Sequence, residues 1–475
     1  MSGLLQLYHR LPAFLWPIVA GVKGWQLNRL RYGADADRLV STALEREAWG
    51  EEGWQRYQQS HLTALLRHAA QNVPFYREHW EERRRQGDQS PVDDLGNWPI
   101  LEKEVLRAIP GQFVAEEARP GRMIVEHTSG TTGKPLELLV SKDALREWYA
   151  LVEARWHGWY GVSRHDRWGI IGGQLVVPVS RRDPPFWVWN RPMRQLYLSA
   201  YHLAPDLMPA YFSAIRRHRL VYLYGYSSAL FSLASFALAH DVEPPPLKVV
   251  ITNAEPLLDH QRGAIEEAFD CPVRETYGMS EMVCAASECE AGSMHLWPEA
   301  GLVEVVADGR PLPPGVSGDL LCTGLLNKGM PLIRYRVGDR IALAPRSYSC
   351  PCKRRLPVLD HIEGRSDDVL HTTDGRQIGR LDPVFKGGLA VKEAQIIQES
   401  LQFVRVRYVP AEGFDLESER ILIRRLQERL GPVNVKLEER SELPRGPNGK
   451  FRAVVSRVRF ESERQVALPP SEHCE

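Results

Sequence analysis

The sequence predicts an α/β protein of more than one domain, and three observations carry that expectation. Between about residues 168 and 250, short apolar runs alternate with helical periodicity, as strands buried between helices do. The chain has 475 residues, more than one ordinary core uses. The third is a Ser/Thr/Gly-rich stretch, HTSGTTGKP from His127 to Pro135, set between two strand-like runs.

That stretch organises the chain. Ser129, Gly130, Thr131, Thr132 and Gly133 offer hydroxyls and closely approachable N–H groups, and Lys134 adds a cation. Together they can clamp phosphate oxygens. It is no Walker A loop: only two residues separate Gly130 from Gly133, and Pro135 follows Lys134 where that motif needs Ser or Thr. Proline turns the preceding residue away from helix, and LELLV alternates. With RMIVEH before it, the segment reads strand, loop, strand. Taken alone, the loop fits an ordinary polar turn equally well.

Lys plus Arg and Asp plus Glu are balanced at 60 each, so no net field steers the chain toward nucleic acid or an anionic membrane. Seven unevenly spaced cysteines do not form a disulfide framework and fit a reducing cytoplasm. The apolar run Leu11 to Val22 is too short to cross a bilayer and contains two prolines. It reads as an N-terminal helix packed on the body, with peripheral membrane contact as the lesser alternative.

Taken in order, Leu4 to about Trp98 is mostly helical, with a break at Pro74. NVPFYREHW (72–80) and WPILEKEVLR (98–107) show no obvious catalytic group and read as packing. Lys142 to Trp159 reads as one helix whose Trp148, Tyr149, Trp156 and Trp159 belong to the core. Residues 168–179 read as a buried strand with a glycine turn. Gly225 and Tyr226 fall at a strand-to-helix turn, with Ser227 or Ser228 as N-cap. Residues 248–257 form a strand ending in a polar turn, and a helix from Asp259 to Phe269 follows. Glu281 then stands after a glycine at a strand end, where a carboxylate can hold Mg2+. Asp339, beside Gly338, can accept hydrogen bonds from vicinal hydroxyls. Cys289, His295, Cys350 and Cys352 offer a Cys3His set for structural Zn2+, although C-x-C is rarer than C-x2-C. Free thiols and a surface histidine are the alternative.

HTSGTTGKP, then Tyr277-Gly278-Met279-Ser280-Glu281, then Tyr335 to Asp339, HIEGRSDDVL (361–370) and the Gly-rich loop ending on Lys450 resemble the acyl-adenylate-forming superfamily. The whole chain is most similar to its phenylacetate-CoA ligase branch, especially the CapK-like, coenzyme F390 synthetase-like members. The resemblance implies a large multi-layer α/β N-terminal domain, with a helical lead-in at 1–100 and a body at 101–363. A small mobile α+β domain at 364–475 would turn on Asp367. It implies ATP with Mg2+ on Glu281, phosphates on the 129–134 loop, and adenine beside Ala254, Glu255 and Pro256. Tyr277 and Gly278 would also meet the nucleotide, Asp339 the ribose, Arg365 a phosphate, and Lys450 the reacting centre.

His127, Trp156, Tyr224 and Tyr226 would line the pocket for a small carboxylic acid, aryl or otherwise apolar. Related sequences carry a nearby Cys and His and a later C-x-C at the places of the zinc set. The implied activity is an AMP-forming acid–thiol ligase with CoA as co-substrate. After the hinge, however, HTTDGRQIGRLDPVF departs from the ligase pattern. That leaves open an adenylating enzyme that makes an amide or ester or transfers AMP, and a non-catalytic scaffold of a polysaccharide system.

Overall fold

The structure, a computed structural model, describes residues 2–118, 123–127, 136–255, 257, 259–345, 347–362, 370–374, 377–378, 381, 384, 389–411, 413–441, 443 and 454–458. The N-terminal part is helical: Ser2–Arg10, Trp16–Arg31, Ala36–Arg46, Glu51–Asn72 and Pro74–Arg85. Leu62, Leu65, Leu66 and Ala69 recur at helical spacing and face the core, so Glu51–Asn72 is held by its buried stripe. Pro74 ends that helix and opens the next, where its missing N–H costs nothing. Tyr76, Trp80 and Trp98 complete this face and pack with Ile333 and Tyr335 from far along the chain.

The body is one sheet of 13 strands. Gln195–Ser199, Trp168–Gly172, Tyr222–Tyr226, Val249–Asn253 and Val273–Gly278 run parallel, with Trp187–Asn190 antiparallel at the edge. Helices Met208–His218, Ser227–Ala239 and Asp259–Phe269 supply a second core, which is why these strands read as near-continuous apolar runs. From Val273–Gly278 onward the sheet turns antiparallel through Ala285–Glu288, Met294–Leu296, Val358–Ile362, Tyr335–Leu343, Gly318–Gly324, Gly301–Ala307 and Arg310–Pro311. Ile124–His127 and Glu137–Val140 pair antiparallel by themselves, so the strand–loop–strand expectation holds on both flanks of the loop.

Two local expectations fail. The single helix from Lys142 to Trp159 is α-helical only to Leu151; a π turn, Val152–His157, and a 3-10 turn follow. The wider turn accommodates Arg155, fully buried against Glu299 at 2.8 and 2.9 Å. Nor does Ser227 or Ser228 cap its helix. Both lie inside it, and the Glu255 carboxylate accepts from the Ser228 N–H (3.0 Å) and hydroxyl (2.7 Å). A full negative charge from the neighbouring strand's turn satisfies a helix N-terminus better than a hydroxyl does.

In the C-terminal part, Val391–Ser400, Phe403–Pro410, Asn434–Glu439 and Val454–Ser456 form a four-stranded sheet backed by helix Leu416–Leu430. Tyr201, Leu175 and Val179 of the body join its core. The Arg429 guanidinium lies 5.7 Å from the Tyr201 ring, and Arg182 pairs with Asp374 at 3.4 Å.

Candidate active site

Strand Val273–Gly278 carries the first half of the site. Beyond its end, the Glu281 side chain is 7% exposed and accepts from Lys103 Nζ at 3.2 Å and the Tyr335 hydroxyl at 3.1 Å. Burial opposes its ionisation most strongly, but the Lys103 ammonium, a backbone hydrogen bond and the Tyr335 hydroxyl together outweigh burial and hold the carboxyl below its usual range. Lys103 is in place because Leu101 bridges to Tyr335 in parallel fashion: its N–H reaches Arg334 O at 3.1 Å, and its carbonyl receives Arg336 N–H at 3.0 Å. Segment 98–107 therefore does more than pack, contrary to the reading from sequence. Lys103 and Glu281 lie 178 residues apart, and no spacing could join them.

The second half is Asp339. Its carboxylate accepts from the Tyr277 hydroxyl at 2.7 Å. Burial, reinforced by the Asp339 charge, pushes the Tyr277 phenol far above its ordinary value, so it stays a donor. Gly338, with φ +94°, sits where the pairing of Gly318–Gly324 with Tyr335–Leu343 slips between Asp319 and Leu321. That irregularity re-aims the strand next to Asp339.

Trp156 and Tyr224 meet, their ring centroids 6.2 Å apart, and Trp156 donates to Ala286 O at 3.2 Å. A Cβ at Gly278 would stand 3.2 Å from the Trp156 ring, so glycine is what lets the motif lie against this aromatic wall. Tyr226 lies farther along the same strand, its hydroxyl 3.0 Å from where a Gly173 Cβ would be. His127 is exposed at the end of its strand, opposite Glu137. Ala254 adopts φ +66°, a left-handed turn next to the Glu255 that caps the neighbouring helix. Ser129, Gly130, Thr131, Thr132, Gly133, Lys134, Pro256, Arg365, Asp367 and Lys450 lie outside the described residues.

Residues 55–327 match the family model described as AMP-binding enzyme. The chain belongs to the AMP-binding enzyme family. Residues 370–457 match the CapK C-terminal domain, which sets this AMP-binding enzyme on the phenylacetate-CoA ligase and CapK-like branch of the superfamily. It is 24% identical to Protein CapK of Staphylococcus aureus over 468 residues, 95% of this chain and 99% of that one. It is 27% identical to a phenylacetate-coenzyme A ligase of Pseudomonas putida over 368 residues, covering 71% and 75% of the two chains. In fold it is similar to 2-hydroxyisobutyryl-CoA ligase in complex with 2-HIB-AMP and CoA, with TM-score 0.57, 21% identity, and coverage of 87% and 91%. The expected large α/β body with a separate C-terminal sheet holds.

A second cluster of this AMP-binding enzyme lies in the same antiparallel half of the sheet. The ligand atoms of Cys289, His295, Cys350 and Cys352 all lie within 4.8 Å of one another. Zinc–sulfur and zinc–nitrogen bonds of about 2.3 and 2.0 Å put tetrahedral donors roughly 3.3–3.8 Å apart. Cys289 and Cys350 sulfurs are 3.6 Å apart, and Cys352 Sγ lies 3.3 Å from His295 Nε2. His295 Nδ1 is turned to the Leu356 carbonyl at 3.3 Å, which leaves Nε2 for an ion. Burial keeps the His295 imidazole below its ordinary range and pushes the Cys289 thiol up to about 12. A neutral imidazole is the ligating form. The donor set fits zinc, which would cross-link the 289–295 hairpin to the loop ahead of Val358–Ile362.

Proposed function

We propose that the chain is an ATP-dependent ligase that activates a carboxylic acid. The acid's carboxylate oxygen attacks the α-phosphorus, forming the acyl–O–P bond of an acyl-adenylate, while the bond to pyrophosphate breaks. A carboxylate is already a nucleophile, so this half needs no general base. Supporting this reading is the buried, ionised Glu281 held by Lys103 and Tyr335, close to the Tyr277–Asp339 pair through the shared strand Tyr335–Leu343.

In this reading Glu281 holds the Mg2+ of the substrate Mg-ATP, Asp339 the ribose, and residues 129–134 the leaving phosphates. Arg365 contacts a phosphate, and Lys450 neutralises charge at the α-phosphate as attack proceeds. Trp156 and Tyr224 wall the acid. The acyl group then passes to a thiol such as CoA after the C-terminal domain turns on Asp367. Zinc is assigned to structure only.

A second acceptor rests on one observation: the match to the phenylacetate-coenzyme A ligase covers only 71% of this chain, whereas residues 370–457 match the CapK C-terminal domain. An amine, a hydroxyl or AMP transfer then replaces CoA. ATP–pyrophosphate exchange against aryl, fatty, hydroxy and amino acids tests the first half. Exchange should depend on one acid class and fall about 100-fold or more in Lys450→Ala. Exchange with no acid sinks the adenylation reading. Mass spectrometry of the product with and without CoA distinguishes the acceptors.

A further inference from the structure

We propose that helix Trp16–Arg31 docks the protein on the surface of an anionic lipid bilayer. Ile18, Val22, Trp25 and Arg29 follow one another at four, three and four residues and so share one helix face; Phe14 continues it one turn earlier. Phe14, Ile18, Val22 and Trp25 are 74%, 62%, 59% and 56% exposed. The Arg29 guanidinium lies 5.7 Å from the Trp25 ring.

The opposite face explains why this stripe is held outward. Gly24 lies so close to Asn190 that a Cβ would stand 1.8 Å from Asn190 Oδ1, and Asn28 donates to the Pro192 carbonyl at 2.8 Å. Trp16 is buried, its indole donating to Tyr8 O at 3.1 Å. The helix is thus laid flat on Trp187–Asn190, the edge strand of the large sheet. Covering that edge requires only the inner face. An apolar groove of about 550 Å³ opens beside the stripe, lined by Pro17, Ile18, Val22, Trp25, Trp189 and Arg191 among others.

Charge selects the occupant. Although the whole chain is balanced, residues 2–34 hold no Asp or Glu, and Arg10, Lys23 and Arg29 are all exposed. The first acidic residues beyond, Asp35 and Asp37, pair with Arg38 and Arg164. An apolar stripe with aromatic members and a cationic border is the pattern of a helix lying in a lipid interface, and anionic headgroups complement it. A second copy fits worse, because a twofold contact through this face would set cation against cation. The helix has 16 residues, and no described helix is long and apolar enough to cross a membrane.

The test is co-sedimentation of the full chain with vesicles of phosphatidylcholine alone and with phosphatidylglycerol added. Binding should be at least about tenfold tighter on the anionic vesicles and should weaken with salt. Lys23→Gln and Arg29→Gln should each weaken it about fivefold. Ile18→Glu/Val22→Glu should abolish it with the thermal midpoint and ATP–pyrophosphate exchange unchanged; both positions are exposed, so folding is spared. Equal binding to both vesicles, or binding to neither, overturns the proposal. So does a wild-type dimer that Ile18→Glu/Val22→Glu turns into a monomer in analytical ultracentrifugation.

Discussion

The Glu281 cluster and the Cys289 cluster grow from neighbouring turns of the same antiparallel sheet, yet they are satisfied in opposite ways. At Glu281 the protein supplies the counter-charge: Lys103 neutralises the carboxylate and Tyr335 donates to it. At Cys289 the donors face one another, sulfur to sulfur and sulfur to imidazole. The first arrangement is balanced without any ion; in the proposed function it exchanges partners as a substrate arrives. The second becomes a set of satisfied ligands only around a cation. If the proposed roles hold, the substrate site and the structural site differ in who carries the compensating charge.

The largest expected effect attacks the second cluster. Cys350→Ser/Cys352→Ser should reduce zinc, read by atomic absorption, from about one per chain to none. It should cost on the order of 4 kcal/mol in urea unfolding. Metal content that survives the substitution would erase the contrast.

Next comes Lys103→Met, which leaves a buried carboxylate without its counter-charge and should cost about 3 kcal/mol, largely regained in Lys103→Met/Glu281→Gln. The two proteins should also differ in pH response. In the wild type the folded Glu281 carboxyl lies below its ordinary value, so its stabilisation is full above the ordinary glutamate range and is lost as pH falls from that range through the lowered folded value. Without Lys103, burial is opposed only by the Tyr335 hydroxyl and a backbone hydrogen bond and should raise that value, so the variant should gain stability on acidification. Parallel pH curves would mean that Lys103 is not the compensating charge.

The smallest effect belongs to Tyr277→Phe, which removes the donor to Asp339 at 2.7 Å. The KM for ATP should rise about tenfold with kcat little changed. An unchanged KM would detach Asp339 from the nucleotide.

Local chemistry was legible in the sequence where it was written in consecutive residues. Helix Asp259–Phe269 has the bounds its pattern foretold, and strand Val273–Gly278 delivers the Tyr-Gly-x-Ser-Glu run to a strand end. The four metal-type ligands were also readable, because so few residue types can form such a set. Lys103 was not, because its role exists only once Leu101 is stitched to Tyr335. The Glu255 cap was missed for the same reason: a carboxylate from one turn displaced the serine expected to cap the helix next door. The π turn at Val152–His157 follows from burying Arg155 against Glu299, a tertiary demand that overrides local helix preference.

The stitch at Leu101 also bears on protein engineering. Arg334 donates to the carbonyls of Trp98 (3.0 Å) and Gly96 (3.5 Å), and Leu101 is hydrogen-bonded to Arg334 and Arg336 on both of its sides. A chimera joined at residue 100 would therefore cut through a fastened seam, a few residues ahead of the lysine that partners Glu281. Graft points for exchanging segments among relatives therefore belong away from residues 96–103.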